Sequence, residues 1–136
     1  MRILAAVFLV LAIAACQSHS TLYQQLGGAD GVDSLVTRFM ERIGSDPRIA
    51  ARFADTDPAR FHRLLSAQIC SISNGGCVYD GDSMAQVHAG MDIRPAEFNA
   101  LVEDLISAMN DEGLPQAVQN QLLARLAPMQ GDIVGH

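Results

Sequence analysis

The amino-acid sequence predicts an all-α fold, and three observations support this prediction. Apolar residues recur at spacings of three and four from about residue 21 onward, glycine and proline mark the ends of helix-length segments, and no stretch of strand length alternates apolar with polar residues. The chain has 136 residues, of which 49% are apolar and 18% charged. This composition is typical of one compact domain with an ordinary core.

The first two helices are predicted from a cap and from an apolar stripe. Thr21 and Gln24 form a capping-box pattern that opens a short helix, and Gly27-Gly28 should end it. The second helix is predicted to run from about Gly31 to Ile43. Its one buried face consists of the apolar residues that follow the helical spacing, which are Val32, Leu35, Val36, Phe39, Met40 and Ile43.

The third helix is predicted to begin at Asp57-Pro58, because Asp caps free N–H groups and Pro suits the first helical position. It should run to about Ser73, before Asn74-Gly75-Gly76 breaks it. Gln68 lies inside its apolar stripe, where a polar side chain needs a hydrogen-bond partner. The apolar members of the stripe are Phe61, Leu64, Leu65, Ile69 and Ile72.

Three further helices complete the prediction. Ser83 is the expected cap of a short fourth helix, and Arg94-Pro95 separates it from a fifth that ends at Gly113. The last helix is predicted from about Pro115 to Pro128. The fourth helix carries Met84, Val87, His88 and Met91.

Few residues of these helices suggest chemistry by themselves. His88 lies beside an apolar face, which suits either a hydrogen-bonded structural histidine, the commoner case, or a metal ligand. His62 is expected on the solvated side of the third helix. Solvated faces, rather than a catalytic carboxylate pair, are also expected for the acidic residues Glu103, Asp104, Asp111 and Glu112.

Several classes of function are disfavoured. The sequence contains no phosphate-binding loop, no dinucleotide fingerprint and no nucleophile-elbow motif, which argues against nucleotide enzymes and hydrolases. The net charge of −6 at pH 7 argues against nucleic acid as a partner.

Residues 1–15 are predicted to be the signal peptide of a bacterial lipoprotein. Arg2 precedes an apolar run too short to span a bilayer, and Ile13-Ala14-Ala15-Cys16 resembles a lipobox, in which the cysteine receives a diacylglycerol. Cys16 would then anchor the domain to a membrane through a tether of residues 16–20. Gln17 favours the outer membrane, facing the periplasm. The alternative is an ordinary secretory signal that is cut near Ala15.

Export affects the interpretation of Cys70 and Cys77, because disulfides persist in oxidising compartments. A disulfide between the two residues is therefore predicted. A metal-binding pair is the alternative, but no further Cys or His lies at a spacing that would complete a zinc site.

Three segments together resemble the group 1 truncated haemoglobins, and the match in order and spacing covers a domain of residues 21–134. The most specific part is the Tyr-x-Gly-x-x-Met-x-x-x-His pattern from Tyr79 to His88. The segments are Leu22-Tyr23-Gln24-Gln25-Leu26-Gly27-Gly28, then Asp46-Pro47-Arg48 leading to Phe53, and Gly75-Gly76 followed by the run from Tyr79 to Gly90. The resemblance implies a truncated globin-like two-over-two helical sandwich around haem b.

On the proximal side of the haem, the resemblance implies that His88 is the protein ligand of the iron. Met84 and Val87 would line this side, and Phe53 would pack against the porphyrin. Either Arg60 or Arg63 would pair with a haem propionate.

The distal side, where the gas binds, departs from the family pattern. The resemblance implies that Met40 takes the place of the usual tyrosine, and that Phe61 and Leu65 occupy two positions that are often polar. None of these three side chains donates a hydrogen bond, so oxygen is expected to dissociate quickly. Gln68 is the one polar residue on this stripe that would serve as a substitute donor.

The resemblance therefore favours a protein that reversibly binds oxygen or nitric oxide in the cell envelope and depends on an unidentified reductase. A nitric oxide dioxygenase or a peroxidase-like haem enzyme is the first alternative, although fast loss of oxygen disfavours the dioxygenase. A haem-free helical envelope lipoprotein is the second alternative.

Overall fold

A computed structural model describes residues 20–136 and confirms the all-α class for this part of the chain. The predicted signal peptide, Cys16 and all of the tether except Ser20 lie outside the described residues. From residue 20 onward the chain forms seven α-helices: α1 (Leu22–Gln25), α2 (Gly28–Ser45), α3 (Pro58–Ile72), α4 (Met84–His88), α5 (Pro95–Asp111), α6 (Gln116–Leu126) and α7 (Gln130–Ile133). Two 3-10 helices, Ala50–Phe53 and Ala127–Met129, lie between them.

The predicted caps of three helices are confirmed by side-chain hydrogen bonds. The Thr21 hydroxyl accepts from the backbone N–H of Gln24 at 3.2 Å, and the Gln24 side chain accepts from the backbone N–H of Thr21 at 2.9 Å. The Asp57 carboxylate accepts from the backbone N–H of Arg60 at 2.9 Å. Ser83 caps α4 in the same way as Thr21 caps α1. These caps satisfy N–H groups that a helix cannot pair internally.

The core lies where α2 packs against α3 and α5, with α1 and α6 closing one end. The predicted stripe of α2 is buried except for Met40, which is half-buried. The buried apolar side chains that α5 and α6 contribute are Ala100, Leu105, Ala108, Met109, Val118 and Leu122.

Some predicted helix bounds were wrong. Helix α2 begins at Gly28 rather than near Gly31, although both Gly27 and Gly28, with φ of 95° and 66°, lie in the left-handed region that glycine adopts readily. The 3-10 helix Ala50–Phe53 and helix α7 were missed, since four residues are too few to show a helical period. Pro128 does not end the helical structure, because it lies in the first turn of a 3-10 helix, where no N–H is required.

The segment after α4 is hydrogen-bonded to residues that follow α7. Ile93 and Val134 form an isolated β-bridge, and the backbone N–H of Gly135 donates to the carbonyl oxygen of Ile93 at 3.0 Å. Helix α4 itself packs against α7. Among the helices of residues 20–136, none is both long enough and apolar enough to cross a membrane.

Candidate functional site

His88 is the last residue of α4, and its side chain is half-buried. Its Nδ1 lies 2.8 Å from the backbone carbonyl oxygen of Met84, one turn earlier. A carbonyl oxygen only accepts hydrogen bonds, so Nδ1 carries the ring hydrogen. The lone pair of Nε2 is therefore available to a metal ion.

Helix α3 carries a half-buried face that includes Gln68, which contacts Met84 of α4. Phe61, Leu65 and Gln68 are separated by four and three residues and therefore share one face of the helix. The Nε2 of Gln68 lies 3.6 Å from Met84 Sδ and 3.5 Å from Met129 Sδ, which joins this face to α4 and to the second 3-10 helix. Thioether sulfur accepts hydrogen bonds weakly, so the Gln68 amide is held by weak partners.

Met40 and Phe53 extend the apolar lining. Both side chains are half-buried and pack against the edge of the core, as Phe61 and Leu65 do. The rings of Phe53 and Phe61 are in contact, with centroids 5.5 Å apart and planes inclined at 51°. The structure thus brings predicted residues of the 3-10 helix and α3 into direct contact.

The two residues expected beside His88 differ in burial. Met84 is half-buried and contacts Gln68 through its sulfur. Val87 is 47% exposed, which makes it one of the more exposed large apolar residues of residues 20–136.

These residues fit a haem. The iron of a haem takes four nitrogens from its own porphyrin, so the protein has to supply only one neutral imidazole nitrogen and an apolar enclosure. His88 offers its Nε2, and its Nδ1–H donates to a backbone carbonyl, as is usual for a ligating histidine. Within residues 20–136, no three side chains of His, Cys, Asp or Glu come together as a site for a bare metal ion.

A disulfide joins Cys70 and Cys77, as predicted, with their Cα atoms 5.7 Å apart. The loop that it closes packs tightly. A Cβ atom added to Gly75 would lie 2.5 Å from Cys70 Sγ and 2.7 Å from the ring of Tyr23, so only glycine fits there.

Further along the same connection, two polar contacts hold the chain before α4. The Tyr79 hydroxyl donates to the backbone carbonyl oxygen of Asp82 at 2.9 Å, and burial raises the pKa of Tyr79. Arg63 donates to the Asp80 carboxylate at 2.9 Å. This ion pair occupies one of the two arginines expected to serve a propionate. Arg60 is exposed and forms no ion pair with any residue from 20 to 136.

A cluster around Glu97, which sequence reasoning missed, borders the segment after His88. Arg52 donates two hydrogen bonds to the Glu97 carboxylate, both 2.9 Å long, and a third to the backbone carbonyl oxygen of Met91 at 2.9 Å. Glu97 is 8% exposed, and its contacts with Arg94 and Arg52 lower its pKa to about 2. No sequence pattern signalled this cluster, because Arg52 and Glu97 are 45 positions apart.

Two expectations about solvated side chains were wrong. His62 is half-buried where α3 meets α2, and its Nε2 lies 3.1 Å from the hydroxyl of Thr37 and 3.5 Å from the carboxylate of Asp33. Asp104 is only 8% exposed, because it lies on the part of α5 that meets the turn after α2. Burial, followed by the nearby Asp46 carboxylate, raises the pKa of Asp104.

Known proteins resemble this chain in both sequence and fold. The chain matches the family model described as bacterial-like globin over residues 21–134. It is 34% identical over 116 residues to the group 1 truncated hemoglobin GlbN of Synechocystis sp., which covers 82% of this chain and 90% of that protein. It is 32% identical over 115 residues to GlbN of Nostoc sp., covering 85% and 98%. The crystal structure of truncated hemoglobin from Tetrahymena pyriformis in its Fe(III) form matches with a TM-score of 0.83 and 25% identity, over 86% of this chain and 100% of that one.

Proposed function

This chain belongs to the bacterial-like globin family as a group 1 truncated haemoglobin, and from that premise we propose that His88 ligates a haem b that binds oxygen or nitric oxide reversibly in the cell envelope. Haem binding and gas binding are properties of the family, and the predicted two-over-two fold is confirmed. The haem-free alternative is therefore not supported. The observation that carries the assignment of His88 is its free Nε2, with Nδ1 donating to the Met84 carbonyl oxygen.

Haem supplies the iron that binds the gas, and the protein supplies the ligand and the enclosure. The carbonyl oxygen of Met84 holds the imidazole in the tautomer that leaves Nε2 basic. Phe53 and Phe61, in contact with each other, provide flat apolar surface that suits a porphyrin and excludes water from it.

The distal lining determines how tightly a gas is held. A gas that lies between Met40, Phe61 and Leu65 receives no hydrogen bond from these side chains. A hydrogen bond to a charged group is worth about 1.5–3 kcal/mol, which corresponds to roughly a tenfold to hundredfold change in dissociation. The Gln68 amide is engaged by Met84 and Met129. We therefore expect weak retention of oxygen, which disfavours a role as a nitric oxide dioxygenase.

The assignment of His88 is tested by substitution. We expect His88→Ala to abolish or strongly weaken the Soret absorbance of protein that is purified with haem available, because the iron then has no protein ligand. His62→Ala is the matched control, because this histidine contacts Thr37 rather than the apolar lining. An unchanged Soret band in His88→Ala, or equal loss in both variants, would contradict the assignment.

The apolar distal lining is tested by adding a donor. Leu65→Gln places a carboxamide on the lining of α3, and we expect it to slow oxygen dissociation by about tenfold to a hundredfold. Leu65→Met is the control, since it conserves volume and adds no donor. Flash photolysis or stopped-flow mixing measures the rate. If the two variants release oxygen at the same rate, the gas does not lie beside residue 65.

The envelope location rests on the lipobox at Cys16 and on the disulfide, which is typical of an oxidising compartment. We propose that Cys16 carries acyl chains and holds the globin at the outer membrane, where an unidentified reductase keeps the iron ferrous. In bacterial cells supplied with labelled palmitate, the wild-type protein should become labelled and sediment with membranes. Cys16→Ser should lose both properties. Labelling that persists in Cys16→Ser would rule out this anchor.

A further inference from the structure

Helix α4, which ends at His88, is short and packs against α7. It has five residues, and none of them is fully buried. The position of His88 therefore depends on the contacts at the two ends of α4 as well as on its packing against α7. The segment that follows α4 is hydrogen-bonded directly to the histidine, because the backbone N–H of Met91 donates to the carbonyl oxygen of His88 at 3.1 Å.

Met91 is in turn held by Arg52, whose side chain is fixed at its other edge. The Nη1 of Arg52 donates to the carbonyl oxygen of Met91 at 2.9 Å, while Nε and Nη2 donate to the two oxygens of Glu97, each at 2.9 Å. A guanidinium is planar, and a two-point contact with a carboxylate fixes its orientation. The direction in which Nη1 points is thus set by Glu97.

Glu97 is itself immobilised. It lies in the first turn of α5, is 8% exposed, and accepts from the backbone N–H of Arg94 at 2.9 Å and from the Arg94 guanidinium at 3.1 Å. One buried carboxylate therefore joins the 3-10 helix that carries Phe53, the segment after His88, and the start of α5. Both arginines of the cluster are paired with Glu97, so the hydrogen-bonded network should favour one arrangement of these three segments.

We propose that Glu97 and Arg52 are positioning residues for the haem ligand: through the carbonyl oxygen of Met91 they hold the His88 imidazole in the position in which its Nε2 would meet the iron. This inference rests on the proposed role of His88. It goes further by assigning a role in gas binding to two residues that do not themselves contact the iron. A substitution in the cluster should therefore alter the iron–histidine bond in a protein that keeps its overall fold.

The test compares Glu97→Gln with a matched control, Asp46→Asn. Asp46 is also buried, at 9% exposure, and Arg48 binds its carboxylate at 2.7–3.0 Å, but this pair lies after α2 and does not contact the segment after His88. Both variants should lower the stability of the haem-free protein. Only Glu97→Gln should shift and broaden the iron–histidine stretching band in the resonance Raman spectrum of the ferrous, gas-free protein. It should also speed haem loss by about tenfold, as disturbed outer contacts of a metal ligand do.

Arg52→Lys is the second variant, and it keeps the charge. A single ammonium cannot replace the fork that reaches both Glu97 and Met91. It should therefore shift the band in the same direction, even if Glu97→Gln does not fold. An unshifted band in Arg52→Lys, together with a band that is lost in His88→Ala, would overturn the positioning role and leave the proposed function intact. A band that survives in His88→Ala would instead contradict the proposed function itself.

Discussion

The two sides of this fold differ in how completely their apolar side chains are buried. Where α2 meets α5 and α6, Val36, Ala108 and Leu122 are 0% exposed. On the side formed by the 3-10 helix, α3 and α4, Ile69 is buried, but five other large apolar residues are only half-buried: Phe53, Phe61, Leu64, Leu65 and Met84.

This difference in burial predicts that the two sides contribute differently to the stability of the fold and to the binding of a ligand. A side chain that is already out of water contributes its full transfer free energy to the fold, whereas a half-buried one has apolar area left to bury against a ligand. The α2–α5–α6 side therefore supports the fold. The α3–α4 side has apolar area left to bury against the proposed haem, and substitutions there should affect haem binding more than the unfolding of the protein.

The largest expected difference comes from truncating one leucine on each side. Leu122→Ala should destabilise the haem-free protein by about 2–5 kcal/mol, because it leaves a cavity in a fully buried site. Leu65→Ala should cost less than half as much, since Leu65 is only half-buried. Urea unfolding measures both values. Equal losses would show that the two sides are not distinct.

A smaller effect is expected from the disulfide, which strengthens the half-buried side. Replacing both Cys70 and Cys77 by Ala should lower the free energy of unfolding by about 2.5 kcal/mol, because closing this short loop restricts the unfolded chain. The measurement is urea unfolding of wild type and double variant, with and without reductant. Reductant should destabilise only the wild type. If it destabilises neither protein, the bridge does not contribute to stability.

The smallest effect depends on pH and concerns two buried acids of α5. The pKa of Glu97 is lowered from 4.5 to about 2, so its contribution to stability is present above pH 4.5 and is lost as the pH falls toward 2. The pKa of Asp104 is raised by burial, so its contribution is present below pH 3.8 and is lost as the pH rises through the folded value.

These signs predict opposite behaviour for two amide variants. Glu97→Gln should flatten the loss of stability between pH 4.5 and 2, because the titrating carboxylate of the cluster is gone. Asp104→Asn should relieve a cost that wild type bears at neutral pH, since Asp104 Oδ2 has no hydrogen-bond partner within residues 20–136. Unfolding free energies measured against pH test both variants. Parallel pH profiles for the two variants would show that burial does not separate these acids.

Prediction from sequence succeeded where the signal was local. The caps at Thr21, Asp57 and Ser83 were found because each pattern lies within four residues. The buried face of α2 was found because its period repeats over several turns. The short 3-10 helix and α7 were missed, since neither is long enough to show a period.

The sequence by itself determined the helical class, the disulfide pair and His88 as the candidate ligand, because caps, apolar periods and short motifs are written in neighbouring residues. Only the tertiary structure decided which side of the fold is completely buried and which nitrogen of His88 is free. It also brought Arg52, Met91 and Glu97 together. Such contacts depend on how distant segments pack, and no local pattern records them.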